Sequence, residues 1–177
     1  DHDDGLPLDH LNDLAIDTDG VLWIATYDGL VRFDGVQFDT LRSEHPLGPP
    51  NSRVVQLLRH PRDGAIWLVA EGGILQRRTA AGVENFDPVR FRVRTMPTLG
   101  KEAPWAATDA GLVRLDREPT VLPTPGIDPA YVVSRPEGGL LVVDLRQRAW
   151  LVDESTGVGH EIGSLPAEAH NPMRLAA

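Results

Sequence analysis

Residues 11–41 read LNDLAIDTDGVLWIATYDGLVRFDGVQFDTL and contain the clearest structural signal in the chain. Four short apolar runs, LNDLAI, VLWIAT, LVRFD and VQFDTL, are separated by the turns DTDG and YDG and by a single Gly. Runs of this length that are rich in Val, Leu, Ile, Trp and Thr are typical of strands, and Gly supplies the positive φ of tight turns. The stretch therefore predicts a four-stranded antiparallel meander.

The same plan returns three times further along the chain. The predicted units cover residues 11–41, 53–88, 91–125 and 130–163. The third unit is the least regular, because its first strand, FRVRT, is followed by the longer turn MPTLGKE. Residues 164–177 are left as a tail or as the connection to a next unit.

Two positions recur at matched offsets in the first three units. A Trp stands in the second strand and a Gly follows it six residues later, at Trp23, Trp67 and Trp105 and at Gly29, Gly73 and Gly111. In the fourth unit Val142 takes the Trp place and Arg148 the Gly place, while Trp150 falls in the third strand. We interpret the indoles as spacers between neighbouring sheets, since one sheet cannot cover both of its faces.

Four-stranded repeats with a period of about 38 to 44 residues are typical of a β-propeller. The sequence therefore predicts an all-β fold, a propeller segment of about four blades that forms one partial domain over residues 1–177. The 17 Gly and 15 Pro leave few windows long enough for a helix.

Composition excludes several classes of function. Seventeen Lys and Arg against 26 Asp and Glu give a formal net charge of -9, so nucleic acid is a poor partner. No apolar run approaches the roughly 20 residues of a spanning helix, so no membrane insertion is predicted. The absence of Cys excludes disulfides, thiolate metal sites and thiol nucleophiles.

The string DDGLPLDHLNDLAIDTDGVLWIATYDGLVRFDG, residues 3–35, resembles the two-component regulator propeller repeat. The resemblance covers the first 41 residues strongly and weakens towards Gly163. It implies the periplasmic sensor region of a bacterial hybrid histidine kinase or diguanylate cyclase, with about seven blades in the ring. With four blades visible here, we expect either the remaining blades or self-association at the exposed sheet edges. A cytoplasmic location is the alternative.

The turns between second and third strands are the predicted ligand-binding positions. If the blades radiate from an axis, these turns share one face of the disc with the blade-to-blade loops, including the stiff loop SEHPLGPPNS at residues 43–52. The candidate residues are Tyr27, Asp28, Glu71, Asp109 and Arg146. We expect an extracellular ligand, a small molecule or an oligosaccharide, and no catalysis.

The alternatives to a binding module have weak support. Asp13, Asp17 and Asp19 begin like a calcium loop, but strand residues follow, so a solvated hairpin turn is the preferred interpretation. The six His show no metal-ligand spacing, no Ser lies in a G-x-S-x-G turn, and we predict no cofactor, metal or catalytic residue. A protein-interaction scaffold and a propeller lyase or glycosidase remain as alternative functions.

Overall fold

The computed structural model describes residues 11–95 and 97–166 of the 177-residue chain. In that part the chain forms strands, turns and loops, and no helix that could cross a membrane is found there. The strands assemble into four separate antiparallel sheets, each with its strands in sequence order. The predicted all-β propeller segment of four meanders is confirmed.

Blades 1 and 2 are regular four-stranded meanders. Blade 1 contains β1 (Leu11–Ile16), β2 (Leu22–Thr26), β3 (Gly29–Phe33) and β4 (Phe38–Leu41). Blade 2 contains β5 (Val54–Arg59), β6 (Ile66–Ala70), β7 (Ile74–Thr79) and β8 (Gly82–Asn85).

Blades 3 and 4 differ in completeness. Blade 3 contains β9 (Trp105–Thr108), β10 (Gly111–Arg114) and β11 (Thr120–Leu122). Blade 4 contains β12 (Pro129–Ser134), β13 (Leu140–Asp144), β14 (Arg148–Val152) and β15 (Gly159–Ser164). The predicted first strand of blade 3, FRVRT, is reduced to isolated bridges, since only Val93 and, beyond it, Thr98 pair with β9.

The strand register corrects the sequence alignment of blade 4. Trp23 on β2 pairs with Ala15 on β1, and the residue in the same place on β13 is Leu141, which pairs with Val133. Val142 therefore faces the other side of the sheet. The sequence alignment was shifted by one residue because the β13–β14 turn has three residues, whereas the β2–β3 turn has two. In the longer turn the residue with a positive φ, 62°, is Gln147 and not a Gly.

The hydrophobic cores lie between consecutive blades. Trp67 belongs to the cluster between blades 2 and 3, Trp105 to the cluster between blades 3 and 4, and the half-buried Trp23 packs against the cluster between blades 1 and 2. Each of the three indoles thus lies at a boundary between two consecutive sheets. The backbone φ values of Gly29, Gly73 and Gly111 are positive, at 136°, 78° and 114°.

A tight turn at residues 153–157 joins β14 to β15 and carries a testable electrostatic feature. Oδ1 of Asp153 accepts hydrogen bonds from the hydroxyls of Ser155 and Thr156 and from both of their backbone N–H groups. The Ser155 hydroxyl first, and then the Thr156 donors, lower the pKa of Asp153 from 3.8 to about 2.

We expect carbon-detected NMR titration to show the Asp153 carboxyl with this low pKa. Because the folded-state pKa is depressed, the ionised turn stabilises the fold above pH 3.8, and this contribution is lost as the pH falls towards 2. Ser155→Ala should raise the pKa, since it removes the largest contribution. An Asp153 pKa near 3.8 in both proteins would contradict the turn geometry.

Candidate functional site

The turns between second and third strands lie on one face of the molecule, called here the upper face, together with the residues that enter each blade. In blade 2 the backbone N–H of Glu71 donates to the carbonyl of Arg53, at 2.8 Å. The N–H of Asp109 makes the same bond to Arg92 in blade 3, at 3.1 Å. In blade 4, Leu145 bonds to Asp128 at 3.0 Å. In each of these blades the turn therefore lies beside the entry to the same blade.

Two of the predicted ligand-binding residues are linked across blades 1 and 2 by Arg53. Its guanidinium lies over the ring of Tyr27, 4.1 Å from the centroid, and Nη1 lies 3.1 Å from Oε1 of Glu71. All three side chains are about half exposed. Cation–π contacts at such sites contribute about 0.5–1 kcal/mol, so Arg53 orients the pair while leaving it open to solvent.

Asp28 is held separately by Arg42, the residue just before the 43–52 loop. Arg42 donates to Oδ2 of Asp28 through Nε and Nη2, at 3.1 and 2.8 Å, and this pair raises the pKa of Arg42. The middle of the loop leaves the upper face, because the carbonyls of Leu47 and Gly48 accept from Arg78 and Gln76 on β7. The loop therefore fills the gap between blades 1 and 2.

Arg94 joins blades 3 and 4 on the upper face. Nε donates to Oδ1 of Asp109 at 2.8 Å, and Nη1 donates to Oδ1 of Asp128 at 2.5 Å and to the carbonyl of Pro129 at 3.0 Å. Burial lowers the pKa of Arg94, but the hydrogen bonds to Asp109 and Asp128 outweigh it and raise the pKa. Asp109 is thus positioned by an arginine that stays charged.

Arg146 lies apart from the other predicted residues. Its exposed side chain lines a small cleft of about 290 Å³ with Asp128 and Arg148. The neighbouring Asp144 is buried and accepts from Arg148 Nε at 2.8 Å and from the Trp150 indole at 3.1 Å. Burial raises the pKa of Asp144, but the backbone N–H of Arg148 and these side-chain donors outweigh it and lower the pKa. Asp144 therefore has a structural role.

One cleft of the described residues opens on the upper face across blades 2, 3 and 4. Its volume is about 750 Å³, within the range of small-molecule sites. Of the predicted residues it contains Asp109. Its other polar and aromatic lining residues are Arg92, Arg94, Thr95, Tyr131, Asp144 and Gln147.

The sequence interpretation missed most of these residues. Arg53, Arg92 and Arg94 stand at or just before the first strands, in the strings NSRVV and RFRVR. A recurring Arg at blade entry was the available signal. Tyr131 gave no signal, because an aromatic residue in a strand is usual in any sheet.

The acidic hairpin that resembled a calcium loop is a turn. Oδ1 of Asp17 accepts from the N–H groups of Asp19 and Val21, and Oδ2 accepts from the Trp23 indole at 2.8 Å. Asp13 accepts from Leu57 N on blade 2, at 2.9 Å. Among the described residues, no group of three or more His, Cys, Asp or Glu is placed to hold a metal ion.

Residues 5–28 match the family model described as two component regulator propeller. This segment of the chain therefore carries a two-component regulator propeller repeat. The matched residues include β1, β2 and the turn that carries Tyr27 and Asp28. No curated protein matches the sequence.

Solved structures share the propeller architecture. The extracellular domain of BT3049 from B. thetaiotaomicron, described as a hybrid two component system, has a TM-score of 0.69 and 17% identity, over 91% of this chain and 25% of that one. The extracellular domain of BT4673 from the same organism, described as a one component system, has a TM-score of 0.57 and 16% identity. That match covers 92% of this chain and 22% of the BT4673 chain. This chain thus spans about a quarter of their length.

A propeller with another function is also similar. Virginiamycin B lyase from Staphylococcus aureus has a TM-score of 0.62 and 18% identity, over 92% of this chain and 59% of that one. At these identities the likeness shows the fold alone.

Proposed function

We propose that this regulator propeller chain is the sensing module of a bacterial signalling receptor and binds its ligand in the upper-face cleft. The module would lie in the periplasm, have no chemistry of its own and pass its signal to a histidine kinase or a diguanylate cyclase. The family repeat at residues 5–28 supports the signalling role. The extracellular location of the BT3049 and BT4673 domains supports the compartment.

One observation carries the site: a cleft of about 750 Å³ in which side chains of blades 3 and 4 surround an exposed aromatic ring, while blade 2 contributes the backbone of Gly72 and Gly73. Tyr131 is 38% exposed there. Its ring offers an apolar surface with a polar hydroxyl, and Arg92, Asp109 and Gln147 add donors and acceptors around it. This combination suits a polar small molecule or an oligosaccharide, whose rings have both apolar faces and hydroxyl groups.

Two alternatives have less support. An interaction scaffold is favoured by exposed apolar residues on blade 4, such as Val133 and Leu141. A lyase or glycosidase would need convergent carboxylates near the axis. The described first-strand segments supply Asp13 alone, and its carboxylate already accepts from Leu57 N.

Ligand binding can be tested by calorimetry with a panel of oligosaccharides and their monosaccharides. We expect Arg92→Gln to weaken the binding of any panel member about tenfold, as loss of one charge-assisted hydrogen bond of about 1.4 kcal/mol would. Arg92 is exposed, and its described hydrogen bond goes to the carbonyl of Gly72, so the fold should survive.

Arg117→Gln is the matched control. Arg117 is an exposed arginine that lines a different cleft, with Asp63 and Arg77. Its replacement changes the net charge equally and should leave the affinity unchanged. Equal affinities of the two variants for a bound sugar would place the binding site elsewhere.

A further inference from the structure

Arg78 on β7 stands at a position that is apolar in the other three blades. It pairs with the first residue of β6, and the residues paired in the same way with the first residues of β2 and β13 are Phe33 and Val152. In blade 3 the N–H of Leu115 bonds to the carbonyl of Pro104, just before β9, at 2.8 Å. Arg78 is nevertheless buried, with 5% of its surface exposed. A charge in such a position costs free energy unless a partner neutralises it.

The described partners of the Arg78 guanidinium are all neutral. Nη1 donates to Oε1 of Gln76 at 2.6 Å, and Nη2 donates to the carbonyl of Leu47 at 2.7 Å. The guanidinium also lies over the ring of Trp23, 4.8 Å from the centroid, and its Nε is buried without a hydrogen-bond partner. Burial lowers the pKa of Arg78 to about 10, so the group stays charged at neutral pH.

Other arginines on the third strands do have carboxylate partners. In each of the first three blades one arginine pairs in register with the Trp of the second strand. Their ion pairs are Arg32 with Asp39 at 3.3 Å, Arg77 with Asp63 at 2.7 Å and Arg114 with Asp116 at 2.8 Å. Arg78 differs from them, because its charge is left without a carboxylate among the described residues. A buried cation of this kind beside a cleft is a candidate for binding an anion.

The cleft beside Arg78 lies between blades 1 and 2 and has a volume of about 480 Å³. We call it the blade 1–2 groove. Its lining residues include Trp23, Arg32, Leu41, His45, Leu47 and Arg78. Trp23 is half-buried here, whereas Trp67 and Trp105 at the following blade boundaries are 1% and 2% exposed. The groove therefore combines an accessible indole and apolar side chains with two arginines.

The charges around the groove determine where an anion can lie. A second cleft, of about 610 Å³, shares Arg32 and Arg78 with the groove. It also contains three carboxylates, those of Asp17, Asp19 and Asp63. Among the described lining residues of the blade 1–2 groove, Asp39 alone is acidic, and it is already paired with Arg32. An anion is therefore favoured in the groove and disfavoured in the second cleft.

We propose that the blade 1–2 groove binds a small aromatic carboxylate, with its acid group on Arg78 and Arg32 and its ring against Trp23 and Leu47. A guanidinium has five N–H donors, and the described bonds of Arg78 use two of them. Hydrogen bonds between arginine and a carboxylate are among the strongest in proteins. The groove shares no lining residue with the upper-face cleft, so this site does not depend on the proposed function.

The site can be tested with phenylacetate and benzoate, using phenylacetamide and benzamide as neutral counterparts. Proton–nitrogen NMR of the full chain follows the indole N–H signals during each titration. We expect the acids to shift the Trp23 signal in a saturable way and to leave that of the buried Trp67 unchanged. Each amide should bind at least about tenfold more weakly than its acid, because it cannot neutralise Arg78.

Two variants test the arginines separately. Arg78→Gln should weaken the binding of the acids by about tenfold or more. Arg32→Gln should weaken it about tenfold as well, and its side chain is 35% exposed, so this variant stays folded even if Arg78→Gln disturbs the 43–52 loop. Arg117→Gln is the control with an equal change of charge, since Arg117 lines a different cleft, and its affinity should be that of the unmodified chain.

Several results would overturn the proposal. These are the absence of a saturable Trp23 shift with either acid, equal affinities for acids and amides, and an undiminished affinity in Arg32→Gln. A loss of affinity in Arg92→Gln that is absent in Arg32→Gln would also overturn it, because the acid would then lie in the upper-face cleft.

Discussion

Trp67→Ala should lower the free energy of unfolding by about 3–5 kcal/mol, the usual cost of removing a fully buried Trp. The indole is 1% exposed, stacks on Phe86 with ring centroids 5.1 Å apart, and belongs to the cluster that joins blades 2 and 3. Since domains are stable by about 5–15 kcal/mol in total, this single change should remove much of the stability.

Urea denaturation followed by circular dichroism measures this effect. Trp67→Phe separates packing from hydrogen bonding: the indole Nε1 is buried without a hydrogen-bond partner, so replacement by another ring should cost clearly less than Trp67→Ala. Val36→Ala is the surface control, because Val36 is 90% exposed and its loss should change stability by less than about 0.5 kcal/mol. A loss below about 1 kcal/mol for Trp67→Ala would show that the blades do not share this core.

Gly73→Ala should destabilise the protein far more than Gly72→Ala, although the two glycines are adjacent and have φ values of 78° and 81°. Both substitutions place a side chain in the left-handed region, at a cost of about 1–2 kcal/mol. At Gly73 the new Cβ would also meet the backbone of blade 3, because Val93 N would lie only 2.9 Å away and Val93 O closer still. At Gly72 nothing lies within 4 Å.

The clash at Gly73 cannot be relieved by a side-chain rotation. Val93 N donates to Gly73 O at 2.8 Å, so the two backbones are bonded to each other where the cleft begins. Overpacking adds about 1–3 kcal/mol to the strain, and we expect a total of about 3 kcal/mol or more for Gly73→Ala. Equal denaturation midpoints for the two variants would mean that blades 2 and 3 do not approach this closely.

The repeat in the sequence was enough to predict a succession of antiparallel meanders joined by tight turns, because these depend on residues close together in the chain. The string L-W-I-x-T places Thr26 three residues before Gly29, whose carbonyl accepts from its hydroxyl at 2.8 Å. The same bond joins Thr108 to Gly111 at 3.0 Å. Such local signals hold wherever the turn keeps its length.

The sequence alignment of blade 4 was wrong because one of its turns differs in length from the turns of the other blades. Its β13–β14 turn gains one residue, and the left-handed position is taken by Gln147 without a Gly to mark it. A shift of one residue moves every side chain to the opposite face of a strand. The sequence alignment therefore gives Val142 the position of Trp23, whereas the strand pairing shows that Leu141 holds this position.

For the binding surface, turn residues such as Glu71 and Asp109 were predictable, whereas their arginine partners were not. Arg53 and Arg94 stand at the entry of the same blade as the turn residue they contact, and only the folding of the blade brings the entry and the turn together. Local composition determines which segments form strands and which form turns, because the hydrogen bonds of one meander join residues that are close together in the sequence. The upper-face cleft and the blade 1–2 groove arise where separate sheets meet, so they depend on the packing of the whole assembly.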